Sequence, residues 1–138
     1  MYLVLVLWLA WPLPAHLGSH LPHTTFSADF DTLYTTWALG WETHAITTDP
    51  ARILDANIYH PTPTALLYGP TAFGALPFFA PTFLATGNAV LAINLTLLVA
   101  LGLTALGAHL VVTRWTGSEP AGFVAGAVFL TNRMIHGM

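Results

Sequence analysis

The sequence contains no cysteine and no lysine, and its only basic residues are three arginines among 138 residues. The lack of cysteine excludes disulfides, thiol catalysis and thiolate-bound metals. Three scattered positive charges cannot form the basic surface that binds a phosphate backbone, so we expect no nucleic-acid partner. Charged residues make up only 7% of the chain, far below the share found in ordinary soluble domains.

Hydrophobic residues, in contrast, make up 55% of the chain, which is typical of a membrane protein. Apolar runs predict three membrane-spanning helices, at residues 1–14, 88–113 and 120–136. A helix over the first eleven residues reaches only about 16 Å at ~1.5 Å per residue, against a hydrocarbon core of roughly 30 Å. We therefore expect the first helix to begin upstream, and the chain to be the N-terminal part of one membrane domain in a longer multi-span protein.

Residues 64–86 are also apolar, but Pro70, Pro77 and Pro81 interrupt them. Each proline removes a backbone donor from a helix. The sequence therefore predicts a broken helix, which either spans the membrane or lies along its surface. The predicted fold is all-α: a polytopic bundle of membrane helices with juxtamembrane helices in its first extracytoplasmic loop.

The acidic residues are concentrated in this predicted loop, at residues 15–63. It contains all four aspartates, Asp29, Asp31, Asp49 and Asp55, and one of the two glutamates. Charged side chains gathered between apolar segments are typical of a functional polar site at a membrane. The loop is therefore the predicted place of function.

The side of the membrane on which the loop lies follows from an arginine. Arg114 lies in the short turn between the last two predicted spans, and positive charge favours the cytoplasmic side. The loop is then extracytoplasmic if residues 64–86 do not span; if they do, the orientation inverts. We expect a multi-pass protein of the plasma (inner) membrane.

An aromatic stripe marks the helix predicted over residues 32–48. Tyr34, Trp37, Trp41 and His44 recur at steps of three and four residues, which places them on one helix face. Such a face is typical of a helix that rests on the lipid interface. Stacking on a sugar and packing on a spanning helix are the alternatives.

Two aspartates occupy positions that predict helix caps. Asp31 precedes the predicted helix 32–48, where its carboxylate would accept hydrogen bonds from the first turn. Asp49 repeats the arrangement before Pro50, the predicted first residue of a short helix.

An ordered series of residues resembles a known family. The series consists of Asp31, Trp37, Trp41, His44, Pro50, LDANIYHP at 54–61, TGN at 86–88 and RWTGS at 114–118. It is similar to the series in multi-span membrane glycosyltransferases of the GT-C type, which include lipid A aminoarabinose transferases and protein O-mannosyltransferases. One departure is Thr62, which replaces the second proline of a His-Pro-Pro turn common in these relatives.

The resemblance implies transfer of a sugar from a polyprenyl-phosphate donor to an extracytoplasmic acceptor, with membrane lipid as a further partner. Asp31 would be the catalytic carboxylate, with Asp29 completing an acidic pair, because a carboxylate can deprotonate the acceptor hydroxyl. The other candidate residues would bind substrate, and they are Trp37, Trp41, His44, Arg52, Asp55 and His60.

The cofactor and the function class both leave alternatives. Some GT-C enzymes use a divalent metal and others do not; two acids with water would suit Mg²⁺ or Mn²⁺, and the sequence assigns no metal ligand. Arg52 is the cation of the loop that can stabilise the leaving phosphate. A transporter with residues 64–86 as a discontinuous helix, or a non-catalytic membrane protein of the same architecture, are the competing functions.

Overall fold

The computed structural model describes residues 2–22 and 29–131, and every regular element in these residues is helical. This confirms the predicted all-α class for the described part of the chain. Five α-helices are found there: α1 (Tyr2–Leu9), α2 (Asp29–Thr48), α3 (Leu76–Thr86), α4 (Ala89–Thr116) and α5 (Glu119–Leu130). Short 3₁₀ turns lie at Leu13–Ala15, Pro50–Arg52, Ala65–Tyr68 and Phe73–Ala75.

Helix α4 is the longest element and begins where the sequence places a cap. The Asn88 side chain accepts a hydrogen bond from the Leu91 amide at 2.9 Å, and Gly117 ends the helix in a left-handed conformation. Its 28 residues extend about 42 Å at ~1.5 Å per residue. Among the described residues, α4 is the one helix long and apolar enough to cross a membrane.

Helix α5 packs back against α4 through two glycines. A Cβ atom on Gly122 would lie 2.7 Å from the His109 carbonyl oxygen, and one on Gly126 would lie 2.7 Å from that of Ala105. The two glycines therefore permit a close contact between the backbones of α4 and α5. Residues 132–136 of the predicted last span lie outside the described residues.

Helix α1 is shorter than the spanning helix predicted over residues 1–14. It ends at Leu9, and a 3₁₀ turn at Leu13–Ala15 follows, because Pro12 and Pro14 cannot continue the hydrogen bonding of an α-helix. The helix nevertheless joins the α4–α5 pair. These three helices share an apolar core of Val6, Ala10, Leu98, Ala105 and Leu130.

A polar contact also joins these three helices. The Tyr2 hydroxyl is hydrogen-bonded to His109 Nδ1 at 2.7 Å, and His109 Nε2 is 2.9 Å from Glu119 Oε2. The ring of Tyr2 stacks on Phe123 with centroids 5.9 Å apart. The start of α1 is therefore fixed near the turn between α4 and α5.

Asn94 fixes the chain beyond α1 at the opposite end of α4. Its side chain is fully buried, and Nδ2 donates hydrogen bonds to the Leu17 and His20 carbonyls, both at 2.8 Å. Six residues earlier, Nδ2 of the N-cap residue Asn88 donates to the Gly18 carbonyl at 2.9 Å. Two asparagines of α4 thus hold residues 17–20 in place.

Residues 64–86 form short helices with loops between them. The α-helical part, α3, has 11 residues and reaches only about 16 Å, so it does not cross a membrane by itself. It packs on the beginning of α4 and on α2 in a cluster of Leu39, Leu76, Phe79 and Ala92. This cluster brings α2 and α3 to the Asn88 end of α4.

Helix α2 begins at Asp29, three residues before the predicted start at residue 32. Asp31 is therefore the third residue of the helix, and its prediction as the N-cap is wrong. A cap-forming side chain is thus not sufficient to locate a helix start, since aspartate is also tolerated within the first turn. Asp31 is exposed, and in the first turn its negative charge still favours the helix dipole.

Candidate functional site

The aromatic stripe of α2 packs partly on protein. Tyr34, Trp37 and Trp41 are half-buried against a cluster from α2 and residues 56–66, whose buried members are Ala38, Ala56, Ala65 and Leu66. The following loop folds back on α2 and buries part of the apolar surface of the stripe. The interpretation of its exposed part as a face that rests on lipid stays a prediction.

Trp41 is the point at which this loop is attached. Its indole Nε1 donates a hydrogen bond to the Ile53 carbonyl at 2.8 Å, which fixes both the ring and the loop. The ring of His44, one turn further along α2, lies 6.0 Å from that of Trp41 between centroids. His44 itself is exposed, so its ring nitrogens are available to a ligand.

Arg52 and Asp55 form an exposed ion pair across one turn of the loop. Arg52 Nε is 3.7 Å from Asp55 Oδ2, and Asp55 Oδ1 accepts a hydrogen bond from the Thr64 amide at 3.0 Å. Both carboxylate oxygens of Asp55 therefore have partners. Asp49 precedes the Pro50–Arg52 turn, but its side chain makes no capping hydrogen bond, so only the position of this predicted cap is correct.

Two adjoining grooves open beside these residues. The first, of about 310 Å³, is lined by Trp41, His44 and Asp49. The second, of about 460 Å³, is lined by Asn57, His60 and Pro61. The grooves are adjacent because three residues line both of them: Trp41, Arg52 and Asp55.

These grooves bring together five of the eight residues predicted from the sequence: Trp41, His44, Arg52, Asp55 and His60. Trp37 lines a third groove of about 510 Å³, which also includes Trp41, His44 and the first turn of α4. Asp31 lines none of the three. It precedes Trp41 by ten residues, which is about 15 Å along the helix. The side chain of Asp29 lies outside the described part of the structure.

Glu42 is the ionisable residue that sequence analysis did not select. It is fully buried in α2, and its Oε1 accepts a hydrogen bond from the Ala72 amide at 3.1 Å. Burial raises the pKa of this carboxyl, and the Ala72 hydrogen bond opposes the shift. A signal was available: Ala38 and Ala45, four residues before and three after, lie on the same helix face and are buried.

Tyr34 lies on the neighbouring part of that face. Its hydroxyl is buried and has no hydrogen-bond partner among the described residues, and a Cβ atom on Gly69 would collide with it. Burial raises the pKa of the Tyr34 hydroxyl, and the nearby Tyr59 and Glu42 add to the increase. The contact requires glycine at position 69, so residues 69–72 are held against α2 at two points.

No group of three or more histidine, aspartate or glutamate side chains that could hold a metal ion is found in residues 2–22 and 29–131. The grooves supply two carboxylates, those of Asp49 and Asp55, so Mg²⁺ or Mn²⁺, which the resemblance permits, would need most of its oxygen ligands from water and from the phosphate of a substrate. Arg52 is the group there that can neutralise a phosphate.

The two grooves present an aromatic wall, a guanidinium group, two imidazoles and the carboxylates of Asp49 and Asp55. Trp41 offers a flat apolar face, Arg52 offers fork-shaped N–H donors, and His44 and His60 can donate or accept hydrogen bonds. This combination suits a ligand that carries both a ring and a phosphate. Comparison of the chain with known protein families, with curated proteins and with solved structures gives no match.

Proposed function

We propose that this chain is part of a membrane glycosyltransferase of the GT-C type, which moves a sugar from a polyprenyl-phosphate donor to an extracytoplasmic acceptor. The observation that carries the proposal is the convergence of Trp41, His44, Arg52, Asp55 and His60 on two adjoining grooves. These residues are separated by up to nineteen positions and are brought together by the fold. The order of motifs along the chain supports the same function.

The membrane part of the proposal rests on α1, α4 and α5. Helix α4 has the length and hydropathy of a span, and α1 and α5 pack beside it with large apolar side chains exposed. Exposure of this apolar surface to water would cost free energy, whereas contact with lipid would not. The exposed side chains include Leu3, Val4, Leu7, Leu103, Leu110, Val124, Val128 and Phe129. We propose a polytopic bundle with α2, α3 and the grooves on its extracytoplasmic side.

Single cysteines test this orientation, because the native chain has none. In right-side-out membranes Thr62→Cys, on the exposed loop, should react with an impermeant thiol reagent. Thr116→Cys, at the other end of α4, should react only after the membrane is permeabilised. Labelling of the Thr116 position from outside in intact membranes would overturn the orientation.

Within the grooves, the proposed roles follow from chemical type. Arg52 binds the donor phosphate through N–H groups that its contact with Asp55 leaves free. Trp41 stacks on the sugar ring, and His44 and His60 donate hydrogen bonds. In the reaction the sugar carbon loses its bond to the phosphate oxygen and gains one to the acceptor oxygen, while a carboxylate takes the acceptor proton. The polyprenyl phosphate leaves with the electron pair of the broken bond.

The identity of this carboxylate remains a prediction from the resemblance, which assigns it to Asp31 with Asp29. Asp55 lies in the grooves, but the Arg52 guanidinium and the Thr64 amide engage its two oxygens. It is therefore better suited to orient Arg52 than to accept a proton. Asp31 lies about 15 Å from Trp41 along the helix, which is too far to deprotonate a hydroxyl that attacks a sugar stacked on Trp41. Asp31 can therefore be the base only if the transferred sugar is bound closer to the start of α2.

Replacement of Arg52 by glutamine should weaken binding of the donor phosphate roughly tenfold, because a charge-assisted hydrogen bond is lost at a partly exposed site. In the measurement, the chain in lipid nanodiscs is titrated with a polyprenyl phosphate, and quenching of tryptophan fluorescence reports binding. Arg114→Gln is the matched control, since Arg114 lies in the last turn of α4, and should bind normally. Equal losses in the two variants would contradict a specific phosphate site.

Asp31→Asn separates binding from catalysis in the same titration. A residue about 15 Å from Trp41 along the helix should not affect donor affinity. Loss of transfer, in membranes where the native chain supports it, would mean that the reacting sugar lies near the start of α2 and not on Trp41, because a base must reach the acceptor proton. Normal transfer by Asp31→Asn would remove Asp31 from the mechanism and leave the phosphate site intact.

A further inference from the structure

Glu42 lies on the side of α2 that faces α3, away from the grooves. One carboxylate oxygen accepts the Ala72 amide proton, and the other, Oε2, is buried with no partner among the described residues. We propose that Glu42 is a proton-binding site whose occupancy controls the attachment of residues 69–75 to α2. This inference is independent of the proposed sugar transfer.

Among the residues that the structure describes, no cationic side chain pairs with the Glu42 carboxylate. The elements that pack on this side of α2 are the Phe73–Ala75 turn, α3 and the beginning of α4, and none of them carries an ionisable side chain near Glu42. Tyr34 lies two turns away on α2 itself, and its hydroxyl is also buried without a partner in the described part. Arg52 and Asp55 lie with Trp41 on the groove side. An ionised Glu42 would therefore keep its charge away from both water and counter-ion.

The two protonation states have opposite effects on the attachment. The neutral carboxyl keeps the hydrogen bond from Ala72 and has no charge to solvate, so the closed arrangement is favoured. The ionised carboxylate strengthens that one hydrogen bond, but its second oxygen loses hydration with no replacement. Water can hydrate this oxygen only when residues 69–75 move away from α2.

The attached segment has few other polar anchors. Pro70 has no amide proton, and Gly69 contacts the Tyr34 ring only by close packing. The Ala72 amide is thus the hydrogen-bonded point of attachment on this stretch. Because the segment leads directly into α3, which contacts α2 and α4, its release would loosen the cluster around Leu39 and Phe79.

The direction of the pH effect follows from the raised pKa of Glu42. With the segment open, the carboxyl is solvated and titrates at its ordinary value of 4.5. Below pH 4.5 the Glu42 carboxyl is protonated in both the open and the closed state, so the equilibrium between the two states does not depend on pH. Between pH 4.5 and the higher pKa of Glu42 in the closed state, only the open state loses its proton. The equilibrium constant for closing therefore falls by up to tenfold per pH unit. Above that range the effect levels off.

A direct test uses the small number of glutamates. The chain has two, Glu42 and Glu119, so selective ¹³C labelling of glutamate gives two carboxyl signals, which Glu119→Gln assigns. We expect the Glu42 signal to titrate above 4.5, with a shift at the Ala72 amide at the same pH. Titration of Glu42 at or below 4.5 would overturn the proposal.

Hydrogen exchange then tests the attachment itself. Protection of the Ala72 amide should fall over the pH range in which Glu42 titrates, after correction for intrinsic exchange. The Leu66 amide, which donates to the Leu54 carbonyl at 3.0 Å, is the internal reference and should stay constant. In Glu42→Gln, which keeps an oxygen for Ala72, protection should not depend on pH; Glu42→Leu serves the same purpose if the glutamine variant does not fold. An equal fall with and without Glu42 would refute the role assigned to this residue.

Discussion

Replacement of Gly126 by alanine should lower the free energy of unfolding by about 2 kcal/mol, a typical cost of overpacking a close contact. The added Cβ would lie 2.7 Å from the Ala105 carbonyl oxygen and would also collide with the Tyr2 hydroxyl. A backbone carbonyl of α4 cannot move aside as a side chain can. The substitution should therefore push α5 away from α4 and break the contact of both helices with α1.

Thermal unfolding in detergent, followed by circular dichroism, measures this loss. Gly107→Ala is the matched control, because Gly107 lies in α4 with no atom within 4 Å of an added Cβ. Alanine favours a helix over glycine by about 1 kcal/mol, so this variant should be slightly more stable than the native chain. If the two alanine variants behaved alike, the close packing of α4 and α5 would be incorrect.

Replacement of Asn94 by leucine should cost about 2 kcal/mol, since two backbone carbonyls lose their donor at once. The side chains have the same branched shape, and Asn94 Oδ1 has no hydrogen-bond partner among the described residues, so the loss comes from the two bonds that Nδ2 donates. Residues 17–20, which Asn94 holds against α4, should become accessible to protease at a lower temperature than in the native chain.

Asn57→Leu provides the comparison, because Asn57 is exposed on the loop and surface changes usually stay within about 0.5 kcal/mol. Thermal unfolding and limited proteolysis are measured on both variants. A loss in Asn57→Leu as large as that in Asn94→Leu would show that leucine itself, rather than the lost hydrogen bonds, is responsible.

Elements bounded by local signals were predictable from the sequence. Asn88 accepts a hydrogen bond at the start of α4, and Ser118 does the same for α5, with Pro120 in its first turn. The start of α2 was misplaced because Asp31 has a cap-forming side chain but lies inside the helix, as its third residue. The first helix was predicted too long because its apolar run continues past the point where prolines end the α-helix.

In the candidate site, too, some contacts follow from local sequence and others depend on how the helices pack. Arg52 and Asp55 are three residues apart, and Trp41 and His44 share a helix face, so their proximity follows from local geometry. The burial of Glu42 depends on Ala72, thirty residues away, and the bonds of Asn94 join it to residues more than seventy positions earlier. Such partners depend on how the helices pack, and no spacing rule within a single helix predicts them.

The contact between Tyr2 and the α4–α5 pair has a consequence for biosynthesis. Tyr2 and its partner His109 are 107 residues apart, and Phe123 is 121 residues from Tyr2. At roughly 5–20 residues per second, the ribosome needs about 5–20 s to produce that partner after the tyrosine has been made. Helix α1 is therefore made well before its partners in α4 and α5, and its apolar surface needs shelter, from an insertion factor or from lipid, throughout that interval.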